Sequence, residues 1–360
     1  MATVELESNK NLANDHDHMK GVKDLLDAGV INSVPDKYVF PENRRPSAAQ
    51  VVQGESIPII DISGLDGSQQ ERIQTIQALG QACSEWGFFR VINHGIQASL
   101  IGSMLDVAHQ FFLLSSEEKM KYGNRDVLDP VRYGTSFNAK VDQFFNWRDY
   151  LKHFCHPVLH TPDNPPNYRE VAGQYFKEIR KLALKLMAAI SESLGLQPTY
   201  IETVFKEGLQ IGALNFYPRC PEPELTMGFV PHSDHGGLTV LLQDEVGGLQ
   251  VRHKDHWVAV EPVPNTFVVN VSDHLEIVSN GRYKSVEHRA VVNAERARIS
   301  IAAANGPALD ALIFPAPQLV DETHPLLYSS MLYGEFLRQQ QSTALVGKGN
   351  LDLLKTPKRE

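Results

Sequence analysis

The chain has little of what marks several protein classes. Only three cysteines, Cys83, Cys155 and Cys220, occur in 360 residues. Their number is odd and they lie far apart, which excludes a disulfide framework and a thiolate metal site. No apolar run approaches the roughly 20 residues of a membrane span, and Met1-Ala2-Thr3-Val4-Glu5-Leu6-Glu7 has no signal-peptide core. Positive charge is in deficit, with 34 Lys and Arg against 43 Asp and Glu, a net charge of −9. Such a chain lacks the electrostatic footprint for nucleic acid, and no basic amphipathic stretch points to a membrane surface. Internal repeats are absent too. Together these absences make the cytoplasm the expected compartment.

A hydrophobic content of 42% is enough for one large core or two fused ones. Residues 1–19 are polar and patternless and are expected to form a mobile tail, with Asp15-His16-Asp17-His18 a solvated charge run. Ile57 to Ile62 predicts a short strand. Ile73, Ile76, Leu79 and Cys83 recur at helical spacing until Gly87, and Phe88 to Ile92 predicts a strand. A second helix carries Ile101, Leu105, Ala108, Phe111 and Phe112. A long one runs from about Asn167 to Leu194, with Val171, Tyr175, Ile179, Leu182, Leu186 and Ile190 on one stripe and Gly195 as its cap. From Gln210 the texture changes to short apolar runs broken by Gly, Pro and Asn, at 210–217, 229–233, 238–243, 248–253, 257–260, 267–271, 284–292 and 298–304. Eight such runs argue for a barrel or sandwich. Tyr328 to Gln341 predicts a closing helix with Met331, Leu332, Phe336 and Leu337 inward.

The chemistry concentrates in the apolar-run region. His232 and Asp234 lie at i and i+2, so on an extended segment both side chains project to one side and can reach one ion. His288, from a distant strand, completes two imidazoles and a carboxylate, a set that occupies one face of an octahedral iron(II) and leaves three positions open. Arg298 and Ser300, again at i and i+2, form a cation and hydroxyl pair suited to a carboxylate.

With Asn215-Phe216-Tyr217-Pro218-Arg219-Cys220-Pro221 and Asn280-Gly281-Arg282-Tyr283-Lys284-Ser285-Val286-Glu287-His288-Arg289, these motifs resemble the plant 2-oxoglutarate- and iron(II)-dependent dioxygenases. Ile57-Pro58-Ile59-Ile60-Asp61, Glu85-Trp86-Gly87-Phe88-Phe89 and Ile92-Asn93-His94-Gly95 resemble the same family's leading region, so the likeness spans roughly residues 20–355. It implies an α+β fold: a double-stranded β-helix (jelly-roll) core with flanking helices and a helical N-terminal region. The implied division is 20–205 for the N-terminal region, 206–325 for the catalytic core and 326–360 for a closing helix and tail. It further implies iron(II) on His232, Asp234 and His288, 2-oxoglutarate held by Arg298, Ser300, Tyr217 and Asn215, dioxygen as co-substrate, ascorbate as reductant, and a monomer. Gly21 to Leu25, Val34-Pro35, Val131 to Phe137 and Trp147 to Tyr150 look most like the branch that hydroxylates cinnamoyl-CoA esters (the feruloyl-CoA type) and coumarins.

Two departures stand out. Ser272-Asp273 replaces a common Gly-Asp, and Ala302-Ala303-Ala304-Asn305 stands where many members carry a bulky aromatic. Tyr133, Phe137 and Ala304 are candidates for the substrate pocket. His94 belongs to a structural turn; His235, His256 and His274 have no matching ligand role, though His235 and His274 lie near the motifs. The expected activity is hydroxylation of a small aromatic specialised metabolite of phenylpropanoid, coumarin or flavonoid type, with release of succinate and carbon dioxide. Desaturation, O-demethylation or ring formation on an alkaloid, terpenoid or hormone would use the same oxidant. A sensor that binds metal and 2-oxoglutarate without turnover, and a zinc hydrolase, are the alternatives of other classes.

Overall fold

A computed structural model describes residues 21–123, 126, 128–137, 141–342 and 347–356; the expected tail at 1–19 lies outside them. Two sheets face each other. The larger runs, in spatial order, Ile59–Asp61, Phe88–Ile92, Phe267–Val271, Leu238–Gln243, Arg298–Gly306, Leu209–Tyr217, Asp149–His156 and Val131–Thr135. The smaller runs Val51–Val52, His256–Ala259, Leu249–His253, His288–Ala290 and Phe229–His232. Antiparallel pairing prevails inside both, and the chain alternates between them, giving the expected jelly roll flanked by helices.

Side-chain alternation gives the larger sheet two different faces. Leu151, Leu214, Ile301, Ala303, Val240 and Val269 point away from the smaller sheet into one apolar cluster with the helices Gln69–Glu85, Ala98–Leu113 and Tyr168–Ser193. The longest of these helices spans 26 residues and buries Tyr175, Ile179, Leu182, Leu186 and Ile190 as its stripe predicts. It ends at Leu194, where Gly195 takes a positive φ of 77°. Ser68 starts the helix Gln69–Glu85 with a reciprocal cap to Glu71. Thr75, Leu79, Ala82 and Cys83 turn inward there, whereas Ile73, expected on the inner stripe, is exposed.

Several boundaries differ from expectation. The run at 284–292 is a strand only at His288–Ala290; Ser285 is held instead by Glu276, whose carboxylate accepts its N–H at 2.6 Å. The closing helix begins at Tyr333 and does bury Phe336 and Leu337. Met331–Leu332 pairs as a short strand with Leu312–Ile313, leaving Leu332 exposed. Val131–Thr135 and Asp149–His156, not anticipated as strands, extend the larger sheet.

Candidate active site

The inner face of the larger sheet and the end of the smaller one enclose a cavity. Register explains who lines it. Arg298 lies opposite Tyr217, Ser300 opposite Asn215, Ala302 opposite Ala213 and Ala304 opposite Ile211. Two strands further along the sheet, Tyr150 pairs with Asn215 and Lys152 with Ala213. All ten line the cavity, with Phe137, Arg148, His235 and the three expected metal ligands.

His232 closes one strand and His288 opens its antiparallel partner, and the two are direct partners in the ladder. Their rings lie 4.2 Å apart. Asp234 follows His232 past the strand end, with Oδ1 3.7 Å from His232 Nε2 and 3.6 Å from His288 Nε2. The three donor atoms fall within 4.8 Å of one another. Ser233, between them, turns the other way and donates to Asp273 at 3.2 Å. Each imidazole has its Nδ1 on a carbonyl two residues back, His232 on Val230 at 2.8 Å and His288 on Val286 at 3.3 Å. That contact places the proton on Nδ1 and turns the Nε2 lone pair toward Asp234. Asp234 Oδ2 accepts from Asn270 at 2.9 Å.

Charge states agree with this arrangement. Burial pushes His232 far below the usual imidazole range, so it is neutral. Burial works to raise the Asp234 carboxyl, but His288, His232 and the Asn270 and Thr239 side chains outweigh it and hold it below the ordinary range. Neutral imidazoles and an ionised carboxylate are the forms a metal binds. One carboxylate and two nitrogens converging from one side suit iron(II) with its other face open.

Arg298 is buried, donates through Nη2 to Gln243 at 2.8 Å and lies 5.1 Å over the Tyr217 ring. Its Nε is buried without a partner among the described residues. A buried donor of a charged group needs an acceptor, and a carboxylate between Arg298 and the Ser300 hydroxyl meets that need. The residues therefore fit 2-oxoglutarate. Arg148, not anticipated, is buried beside them: it donates to Asn215 Oδ1 at 3.0 Å and to the Ser136 carbonyl, and stacks 3.7 Å over Phe229.

Other candidates separate cleanly. Ala304 and Phe137 line the cavity, whereas Tyr133 does not. Its strand alternates, so Arg132 faces the cavity and Tyr133 packs into the helix-side core near Phe111. His235 lines the cavity with Nδ1 2.7 Å from the Tyr333 hydroxyl, and burial pushes its pKa down to about 3. His274 is buried edge-on against Tyr333 and Phe336, away from the cavity. His256 pairs at the surface with Glu55, and His94 braces its own turn on the Asn265 carbonyl. Asn270 had a signal in the sequence, as the lone polar side chain of Phe267-Val268-Val269-Asn270-Val271.

Jelly roll, open three-donor cluster and arginine cradle together define a non-haem oxygenase. Residues 209–307 match the family model of the 2OG-Fe(II) oxygenase superfamily, and residues 57–174 that of the non-haem dioxygenase in morphine synthesis N-terminal region. Rice flavanone 3-dioxygenase 2 is 42% identical over 92% of this chain and 97% of its own. Thebaine 6-O-demethylase of Papaver somniferum is 40% identical over 89% and 92%. The solved structure of JOX2 in complex with 2OG, Fe and JA superposes with a TM-score of 0.83 at 35% identity, covering 94% of this chain and 98% of that one. The chain belongs to the plant 2-oxoglutarate- and iron(II)-dependent oxygenases: it is an oxidoreductase whose cofactors are iron(II) and 2-oxoglutarate.

Proposed function

We propose that this enzyme hydroxylates a small aromatic specialised metabolite, with iron(II) held by His232, Asp234 and His288 and the far carboxylate of 2-oxoglutarate held by Arg298 and Ser300. Tyr217 and Asn215 support the cradle, the first beneath the guanidinium and the second bonded to Arg148. The observation that carries the assignment is the opening of the three-donor cluster and the unpartnered Arg298 Nε onto the same cavity. When bound, the iron couples decarboxylation of 2-oxoglutarate to oxidation of the substrate, one oxygen atom passing to succinate and the other to product. The chain's own residues do the positioning. The carbonyl contacts at Nδ1 of His232 and His288 aim each Nε2 at the ion site, Asn270 fixes the Asp234 carboxylate, and Phe88, Phe137, Phe229 and Leu241 give the cavity apolar walls.

O-demethylation is the second outcome of the same oxidant, favoured by the likeness to thebaine 6-O-demethylase. The resemblance to the cinnamoyl-CoA and coumarin branch rests partly on Tyr133 and Trp147, both core residues here, and so speaks to packing more than to substrate. The reading places the enzyme in the cytosol as a monomer with ascorbate as reductant; consistent with it, no helix among the described residues is long and apolar enough to cross a membrane. We take 206–325 as the catalytic domain and 20–205 as a mixed N-terminal region that braces it and adds Phe88, Arg132, Arg148 and Lys152 to the cavity.

Product profiling by mass spectrometry tests the assignment, using iron(II), ascorbate, 2-oxoglutarate and a panel of cinnamoyl-CoA esters, coumarins, flavanones and alkaloids. A product heavier by one oxygen, or lighter by a methylene, is expected with succinate formed in step. Turnover without 2-oxoglutarate would overturn it.

A further inference from the structure

The cavity has a second cationic region that the 2-oxoglutarate cradle does not use. Arg132 and Lys152 are direct partners across the outermost strand pair of the larger sheet, and both line the cavity. Arg148, four residues before Lys152 in the chain, belongs instead with the cradle, where it donates to Asn215. The Lys152 ammonium has no hydrogen-bond or ion-pair partner among the described residues, and the charged groups acting on it are Arg132 and Arg148. Asp142 acts on Arg148 but not on Lys152. Among the described lining residues Asp234 is the only carboxylate, and it belongs to the metal cluster. Burial, with Arg132 and Arg148 adding to it, pushes Lys152 down to about 7. An anion beside the Lys152 ammonium would offset that cost, and among the described lining residues none but Asp234 is a carboxylate.

This region is separate from Arg298. Lys152 lies opposite Ala213, which lies opposite Ala302, so two strand spacings of about 4.8 Å each separate their backbones. Arg298 is four residues further along that strand, which puts the two Cα atoms roughly 16 Å apart on a flat sheet. Side chains stand nearly perpendicular to a sheet, so the charged heads keep much of that separation. Ala213 and Ala302 in the Lys152 row, and Ala304 one row beyond it from Arg298, leave the floor low there.

We propose that the substrate of this enzyme carries a carboxylate, bound by Lys152 with Arg132 at the sheet edge while its reacting carbon lies over the alanine floor near the metal cluster. The proposal rests on the oxygenase reading above and deepens it by naming the substrate's charged group. Lys152 is then a specificity-determining residue, a point charge that accepts carboxylates of varied orientation where an arginine fork would demand one geometry.

Calorimetric titration of the anaerobic enzyme, loaded with manganese(II) and saturating 2-oxoglutarate, tests it with benzoate, phenylacetate and cinnamate against their methyl esters. At least one acid should bind tenfold or more tighter than its ester. Lys152→Met should remove that preference, and Lys152→Arg should keep it. Equal affinity of acids and esters, no binding of any acid, or displacement of the acid by added 2-oxoglutarate would overturn the proposal, and each is readable on the unsubstituted protein if Lys152→Met does not fold. Failure of the oxygenase reading itself would show separately, as absence of 2-oxoglutarate consumption by the iron(II) enzyme in air.

Discussion

Among the described residues that line the cavity with Arg132, Arg148, Lys152, Arg289 and Arg298, Asp234 is the one carboxylate, so the fate of its charge decides what the site can hold. Asn270 fixes its second oxygen. Removing a partner behind a metal ligand commonly costs 10- to 100-fold in metal affinity. Asn270→Ala should therefore weaken manganese(II) binding by about that factor, read by calorimetry, and unchanged affinity would release Asn270 from the role. At Arg298 the planar fork is the point. Arg298→Lys loses one arm of a charge-assisted contact worth roughly 1.5–3 kcal/mol, which predicts a ten- to hundredfold rise in the KM for 2-oxoglutarate with little change in metal affinity. Ala304 tests the floor of the cavity. Ile301 and Ala303 pack on the helices while Ala302 and Ala304 face inward, so a benzyl group at 304 enters the cavity instead of the helix core. A clash of about 1–3 kcal/mol predicts roughly ten- to hundredfold slower product formation by Ala304→Phe with a nearly unchanged melting temperature. A large fall in melting temperature would place the side chain in the core instead.

Among the elements, the junction at Gly87 leaves no room for a side chain. It ends the helix Gln69–Glu85 and starts the strand Phe88–Ile92 with a φ of 63°, and a Cβ there would stand 2.2 Å from the Lys284 carbonyl. Gly87→Ala combines a disfavoured backbone region with a collision against backbone. Strain of this kind costs about 1–3 kcal/mol, which should lower the melting temperature by several degrees, checked by calorimetry. Strands with one apolar face and a helix under it were legible in the sequence, and so was the stripe of Tyr168–Ser193. Val131–Thr135 and Asp149–His156 were not, for a physical reason. Their helix-side face holds Val131, Tyr133, Asp149, Leu151 and His153, while Arg132, Tyr150 and Lys152 face the cavity. A polar lining inside a cavity has the same alternation as a solvent face, and the alternation alone does not tell the two apart. The overlong strand at 284–292 has another cause: at its start the Ser285 N–H goes to the Glu276 carboxylate and the Lys284 N–H to the Cys83 carbonyl, so the ladder forms only around His288–Ala290. The metal cluster was legible because i and i+2 spacing survives even where the strand stops at His232.

At the scale of the whole molecule, the cluster and cradle tie strands of both sheets to one ligand set, so loading should stabilise the fold as a unit. A ligand at a hundred times its Kd adds about 2.7 kcal/mol. Manganese(II) with 2-oxoglutarate should raise the melting temperature of metal-stripped protein by several degrees, and Asp234→Ala should abolish most of that rise. The most direct test of the account is stoichiometry: oxygen consumed, 2-oxoglutarate lost and succinate formed, measured together during turnover of an accepted substrate. One of each per product is predicted for the unsubstituted enzyme, with loss of all three in His232→Ala, Asp234→Ala and His288→Ala. Product formed without succinate, or full turnover by any of those three variants, would contradict the assignment of the site.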